Sequence, residues 1–90
     1  MADHWDTRRK RLLFRSWHRG TKETDLLLGS FAERHLAELS NEQLDRYEAL
    51  LEENDSDIFD WIARQTPPPP ELDTDVLRLL IEFRFLPRPS

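Results

Sequence analysis

The sequence predicts an all-α fold, a compact bundle of five helices, on three observations. Apolar residues recur at helical spacings in five separate windows, and nowhere do they alternate with polar residues as in a half-buried strand. Residues that cap helix N-termini stand where those windows begin; in Ser40-Asn41-Glu42-Gln43 the serine and the third-following glutamine have capping-box spacing. Breaks between windows coincide with Gly20 and with Pro67-Pro68-Pro69-Pro70, residues that interrupt helices for backbone reasons.

Asp3 or Asp6 can cap a first helix running to about Trp17 or His18, with Trp5, Leu12, Leu13 and Trp17 on one side. Arg8, Arg9, Lys10, Arg11 and Arg15 cover much of the rest. The second helix should start between Thr21 and Thr24 and reach about Leu39. Leu27, Leu28, Phe31, Ala32, His35, Leu36 and Leu39 give it a broad apolar face, so it is expected at the centre of the core. Gly29 costs such a helix about 1 kcal/mol relative to alanine, and close approach by a neighbouring helix is the expected compensation.

The capping box opens a third helix whose buried stripe is Leu44, Tyr47, Leu50 and Leu51 and which Asn54 closes. Asp55 or Asp57 is expected to cap a short fourth helix, with Phe59 and Trp61 as core anchors beside Ile58 and Ile62. Pro67 ends it. The four prolines form a stiff extended strap. Asp73 then caps a last helix, flanked by a Leu72/Leu77 staple, with Val76, Leu77, Leu80, Ile81 and Phe85 facing inward and residues 86–90 frayed.

Ninety residues make one domain, 1–90, with room for a core but little for a deep substrate cavity beside it. Without cysteine there is no disulfide framework, thiolate nucleophile or cysteine metal site. His4, His18 and His35 are dispersed, and adjacent carboxylates such as Glu52 and Glu53 point in different directions on a helix. No glycine-rich phosphate loop or nucleophile elbow occurs. Neither catalytic residues nor metal ligands are therefore expected. No apolar run approaches the ~20 residues that span a bilayer, and Met1-Ala2-Asp3-His4-Trp5-Asp6 lacks the pattern of a secretory or transit segment. A bacterial cytoplasm is the expected location.

Net charge is -5, unevenly placed. Residues 1–22 carry seven Lys or Arg against two Asp, whereas residues 23–60 carry two Arg against twelve acids. A basic helix with interleaved aromatics suits phosphates or lipid headgroups, but the acidic remainder opposes a polyanion, so neither nucleic acid nor membrane is expected as a partner. The asymmetry can steer a complementary protein, or simply keep adjacent helices soluble and mutually attracted.

Trp17-His18-Arg19-Gly20-Thr21-Lys22-Glu23 reads as the corner between the first two helices. Gly20 readily supplies a left-handed turn, and Arg19 and Glu23 flank it with a planar donor fork and a carboxylate. Two readings are open on spacing alone: a glycine that only terminates one helix while Glu23 favours the N-terminus of the next, or a small polar docking surface.

Arg19-Gly20-Thr21-Lys22-Glu23 resembles the Arg-Gly-x-x-Glu motif of the flavinylation factors of succinate dehydrogenase, the bacterial proteins and their mitochondrial assembly-factor relatives. Arg11-Leu12-Leu13-Phe14, Asp25-Leu26-Leu27-Leu28, Phe31-Ala32, the Leu44 to Leu51 helix, Asp57-Ile58-Phe59-Asp60-Trp61 and the proline segment extend the likeness over roughly residues 8–85. Thr21 stands where relatives often have a larger apolar residue, and Thr24 where leucine or asparagine is common.

The resemblance implies a five-helix assembly chaperone, not an enzyme, that helps attach FAD covalently to a histidine of the succinate dehydrogenase flavoprotein subunit. In some bacteria it implies the related fumarate reductase subunit as well. FAD would belong to the partner, with none bound stably by this chain, which is expected to be a monomer. Carried over by position, Arg19, Gly20 and Glu23 would contact the flavoprotein, with Trp17, Arg11, Arg15, Lys22 and Asp25 as flanking candidates. Gly20→Arg is then expected to block docking while leaving the helices folded. The rival readings are a helical adaptor using the basic first helix and a non-covalent FAD carrier.

Overall fold

Helix α1, Thr7–Trp17, begins where Asp6 Oδ1 accepts the Arg9 backbone N–H at 2.8 Å. The computed structural model describes residues 5–85, with side chains through Phe83. The alternative cap at Asp3, the side chain of Phe85 and the tail 86–90 lie outside what is described. Leu12 and Ser16 are buried on α1, while Trp5 and Leu13 are partly buried against the same core.

Helix α2, Lys22–His35, buries Leu27, Leu28, Phe31 and Ala32 and is the central helix its sequence predicts. It stops short of Leu39: a 3₁₀ turn, Leu36–Glu38, finishes the segment. Arg9 explains how this end is tolerated. Its Nε donates to the Leu36 carbonyl at 2.8 Å and its Nη2 to the Leu39 carbonyl at 2.5 Å, satisfying acceptors that a helix end leaves orphaned. Because the start of α1 thus meets the end of α2, the two helices form an antiparallel hairpin with the glycine corner at its other end.

Gly29 is where the hairpin closes. A Cβ there would overlap the Trp17 ring, so the close approach expected from the sequence is the indole lying on the α2 backbone. Trp17 is half-buried, and its Nε1 donates to Glu33 at 3.0 Å.

Helix α3, Asn41–Leu51, starts at the complete capping box: Ser40 Oγ accepts the Gln43 N–H at 3.1 Å and Gln43 Oε1 accepts the Ser40 N–H at 3.0 Å. Tyr47 is fully buried, and its hydroxyl shares a 2.5 Å hydrogen bond with Ser16 Oγ. Burial pushes the phenol well above its usual range, so it remains a neutral structural bridge between α1 and α3. On the surface, Arg8 pairs with Asp45 and Glu48, and Arg15 with Glu48 and Glu52, tying the two helices side by side.

Helix α4, Asp55–Ile62, departs from expectation at both ends. Asn54 does not close α3; its Oδ1 accepts the Asp57 N–H at 2.9 Å and caps α4, leaving Asp55 free to turn toward Arg19. The helix ends before Pro67, with Arg64 at φ 63° in the left-handed region and the Gln65 N–H on the Asp60 carbonyl at 2.8 Å. Trp61 is buried as expected, but Phe59 is only half-buried.

Pro67 and Pro68 lie in no regular element, and extended Pro69 leads into a 3₁₀ turn, Pro70–Leu72, so the strap does not include Pro70. That turn holds the Asp73 N–H on the Pro70 carbonyl, so helix α5, Asp75–Phe85, starts later than predicted. Thr74, not Asp73, accepts the first N–H groups, from Leu77 on its hydroxyl and Arg78 on its carbonyl. Val76, Leu77 and Leu80 complete the core, and His35 sits against Phe31 and Phe83 at ring separations of 4.8 and 5.8 Å.

Candidate functional site

The corner starts at His18, whose N–H returns to the Arg15 carbonyl as α1 ends. Gly20 follows at φ +142°, a backbone that L side chains rarely adopt. Thr21 then caps α2: its Oγ1 accepts the Thr24 N–H at 3.4 Å and donates to Thr24 Oγ1 at 2.8 Å. The two positions that depart from the family pattern are therefore partners of one another.

Asp25 fixes the turn from inside. Its Oδ1 accepts the Arg19 N–H at 2.6 Å and the Gly20 N–H at 3.3 Å. One carboxylate oxygen thus gathers two successive backbone donors, which sets the path of the chain through the glycine.

Arg19 points inward. Its Nε donates to Asp55 Oδ1 at 2.9 Å, Nη1 to the Leu51 carbonyl at 2.6 Å and Nη2 to the Glu53 carbonyl at 2.6 Å. The side chain is 11% exposed and that of Asp55 15%. The guanidinium closes the negative C-terminal end of α3 and anchors the first turn of α4, using its planar fork as a lysine could not. The motif arginine therefore joins three helix ends.

Gly20 itself is exposed, yet an added Cβ would lie 3.3 Å from Asp55 Oδ2. With its positive φ, this means that a side chain here strains the turn and crowds the carboxylate that holds Arg19. Gly20→Arg therefore carries local strain at the turn in addition to any effect on docking.

The other predicted residues divide. Lys22 and Glu23 are exposed in the first turn of α2, and Arg11 is exposed on α1; none of the three side chains has a hydrogen bond or ion pair among the described residues. Arg15 is held by Glu52 at 3.0 Å and Glu48 at 3.6 Å, and Trp17 lies on Gly29. The structure therefore brings Arg19, Gly20 and Asp25 together and turns Lys22 and Glu23 outward. Sequence reasoning missed Asp55, which is remote in the chain. It also missed Phe14, which is 63% exposed and stacks on His18 with ring centroids 3.9 Å apart.

Among the described residues no group of three or more His, Asp or Glu side chains converges to hold a metal ion, and no helix is long and apolar enough to cross a membrane.

Residues 10–84 match the family model described as flavinator of succinate dehydrogenase. The chain is 45% identical over 82 residues to the mitochondrial succinate dehydrogenase assembly factor 2 of Candida glabrata, covering 87% of this chain and 54% of the relative. It is 44% identical over 79 residues to mitochondrial assembly factor 2-B of Drosophila melanogaster, covering 86% and 51%. For the mitochondrial assembly factor 2 of Dictyostelium discoideum the identity is 47% over 72 residues, covering 80% and 51%. The chain thus spans about half the length of the curated relatives it matches. The expectation of a bacterial cytoplasm is corrected by the same finding, because these relatives are mitochondrial factors of fungus, fly and Dictyostelium. On the match over residues 10–84, the chain belongs to the family of flavinators of succinate dehydrogenase.

Proposed function

We propose that this chain is an assembly chaperone that binds the flavoprotein subunit of succinate dehydrogenase and promotes covalent attachment of FAD to a histidine of that subunit. The observation that carries the reading, given the family, is the two-sided corner. Gly20, Lys22 and Glu23 face solvent, while Arg19 and Asp25 hold that backbone in place through hydrogen bonds from behind. A surface fixed before docking loses less conformational entropy on binding.

In this reading the chain contributes no reacting group, and FAD remains with the partner. Flavinylation requires the flavin and the acceptor histidine in near-attack geometry. A factor that binds more tightly to the partner conformation in which they are so placed raises its population by that difference in affinity. Gly20 permits close backbone approach, Lys22 and Glu23 set orientation through opposite charges, and Arg19 and Asp25 act as positioning residues.

The test is covalent flavin fluorescence of the flavoprotein subunit on a denaturing gel, after co-expression with or without this chain. Fluorescence should rise with the chain and fall back with Lys22→Glu/Glu23→Lys, whose helicity should be unchanged. Equal fluorescence with and without the chain would refute the proposal, and retention of free FAD by the chain in equilibrium dialysis would favour a carrier instead.

A further inference from the structure

Three arginines of α1 are committed to internal partners: Arg8 and Arg15 to carboxylates of α3, and Arg9 to the end of α2. Next to Arg8 and Arg15, and away from buried Leu12 and Ser16, Lys10, Arg11, Phe14 and His18 share the outward face by helical spacing, and all four are exposed. Neither the Lys10 nor the Arg11 side chain has a hydrogen-bond or ion-pair partner among the described residues. Between them and the corner, the Phe14 ring is 63% exposed and stacked on His18 at an interplanar angle of 18°. His18 Nδ1 donates to the Phe14 carbonyl at 2.7 Å, which holds the pair in register.

We infer that this stripe of Lys10, Arg11, Phe14 and His18 is a docking surface for an apolar patch rimmed by carboxylates on the flavoprotein subunit. The inference rests on the proposed function and extends it beyond the Gly20 to Glu23 turn. Three arguments support that occupant. An aromatic ring this exposed and already immobilised gains from burial with little ordering cost, as interface anchors do. Two unpaired cations beside it call for carboxylates at its rim. The stripe also ends at His18, next to the corner, so a partner seated on Gly20 meets Phe14 as part of the same surface.

A long polyanion is the poorer occupant. Residues 23–60 carry two Arg against twelve acids, and Asp45, Glu48 and Glu52 flank α1 directly, so the positive field is narrow. A protein patch needs only local complementarity.

The test measures affinity of the purified flavoprotein subunit for the full chain, for Phe14→Ser and for Lys10→Glu/Arg11→Glu. Because these side chains are exposed, melting temperatures should match the unsubstituted chain. Each variant should weaken binding about tenfold or more, and the loss from charge reversal should shrink as salt is raised. Binding within about twofold of the unsubstituted chain for both variants would overturn the inference while leaving the proposed function standing. If the unsubstituted chain neither binds the subunit nor raises its covalent flavin, the proposed function fails first. Substitution-sensitive binding to single-stranded RNA or phosphatidylglycerol vesicles, or loss of a self-dimer in Phe14→Ser, with flavoprotein affinity unchanged, would assign the stripe elsewhere and overturn the inference.

Discussion

On the inner side of the corner, the side chains of Arg19 and Asp25 make five hydrogen bonds within the chain; on the outer face of α1, the side chains of Lys10 and Arg11 make none among the described residues. Both regions are rich in charge, and both read as candidate contact residues in a sequence. Yet the first is architecture and the second is surface. A charged motif residue held within the fold at every one of its side-chain nitrogens has little left to offer a partner, and its removal acts through stability.

That contrast is broken most forcefully at Arg19. Arg19→Ala leaves the Leu51 and Glu53 carbonyls without their donor and a largely buried Asp55 carboxylate unpaired. It should cost about 3 kcal/mol by urea denaturation, with Arg19→Lys recovering only part. A loss under about 0.5 kcal/mol would return Arg19 to the outer side of the comparison.

Gly29→Ala comes next. Helix propensity alone favours the alanine by about 1 kcal/mol, but its Cβ overlaps the Trp17 ring, which must swing away from Glu33. Net destabilisation of about 1–2 kcal/mol is expected, together with a red-shifted tryptophan emission; a gain in stability would mean that the indole moves freely. Ser40→Ala removes an N-cap far from the corner and should cost about 1 kcal/mol, a calibration for an ordinary internal hydrogen bond.

The smallest effect is in acid. The Asp6 carboxyl lies below the usual carboxylate range because it accepts the Arg9 backbone N–H, with the nearby Arg9 charge adding to this. Asp75 is lowered first by the hydrogen bond from the Gln43 side chain, then by the Arg46 charge. A depressed folded pKa gives stability that is present above the unfolded value, near 3.8, and lost as pH falls through the folded one. The urea midpoint should therefore decline slightly below about pH 4, and less so in Asp75→Asn; both groups are exposed, so salt should mute the change.

The sequence was informative wherever the determinant is local. Five helices, the Ser40 capping box, the left-handed turn at Gly20 and the close approach at Gly29 depend on neighbours in the chain or on a missing Cβ, and the structure has all four. The starts of α4 and α5 were misplaced because several cap-forming residues stand together and distant contacts decide among them. Asp55 is claimed by Arg19, which leaves capping to Asn54, and the 3₁₀ turn occupies Asp73, which leaves it to Thr74.

At the candidate site the motif was legible but the direction of its arginine was not. Leu51, Glu53 and Asp55 reach Arg19 only once α3 and α4 are packed. Phe14 offered a usable signal. It is two residues from both Leu12 and Ser16, about 200° around a helix from each, so burial of those two forces it outward.

The most direct measurement is covalent flavin formed on the flavoprotein subunit per folded molecule of factor, compared between Arg19→Ala and Phe14→Ser. The account predicts that Arg19→Ala, once corrected for its unfolded fraction, keeps the greater part of its activity per folded molecule, while Phe14→Ser stays folded and loses most of its activity. A folded but inactive Arg19→Ala beside a fully active Phe14→Ser would contradict it.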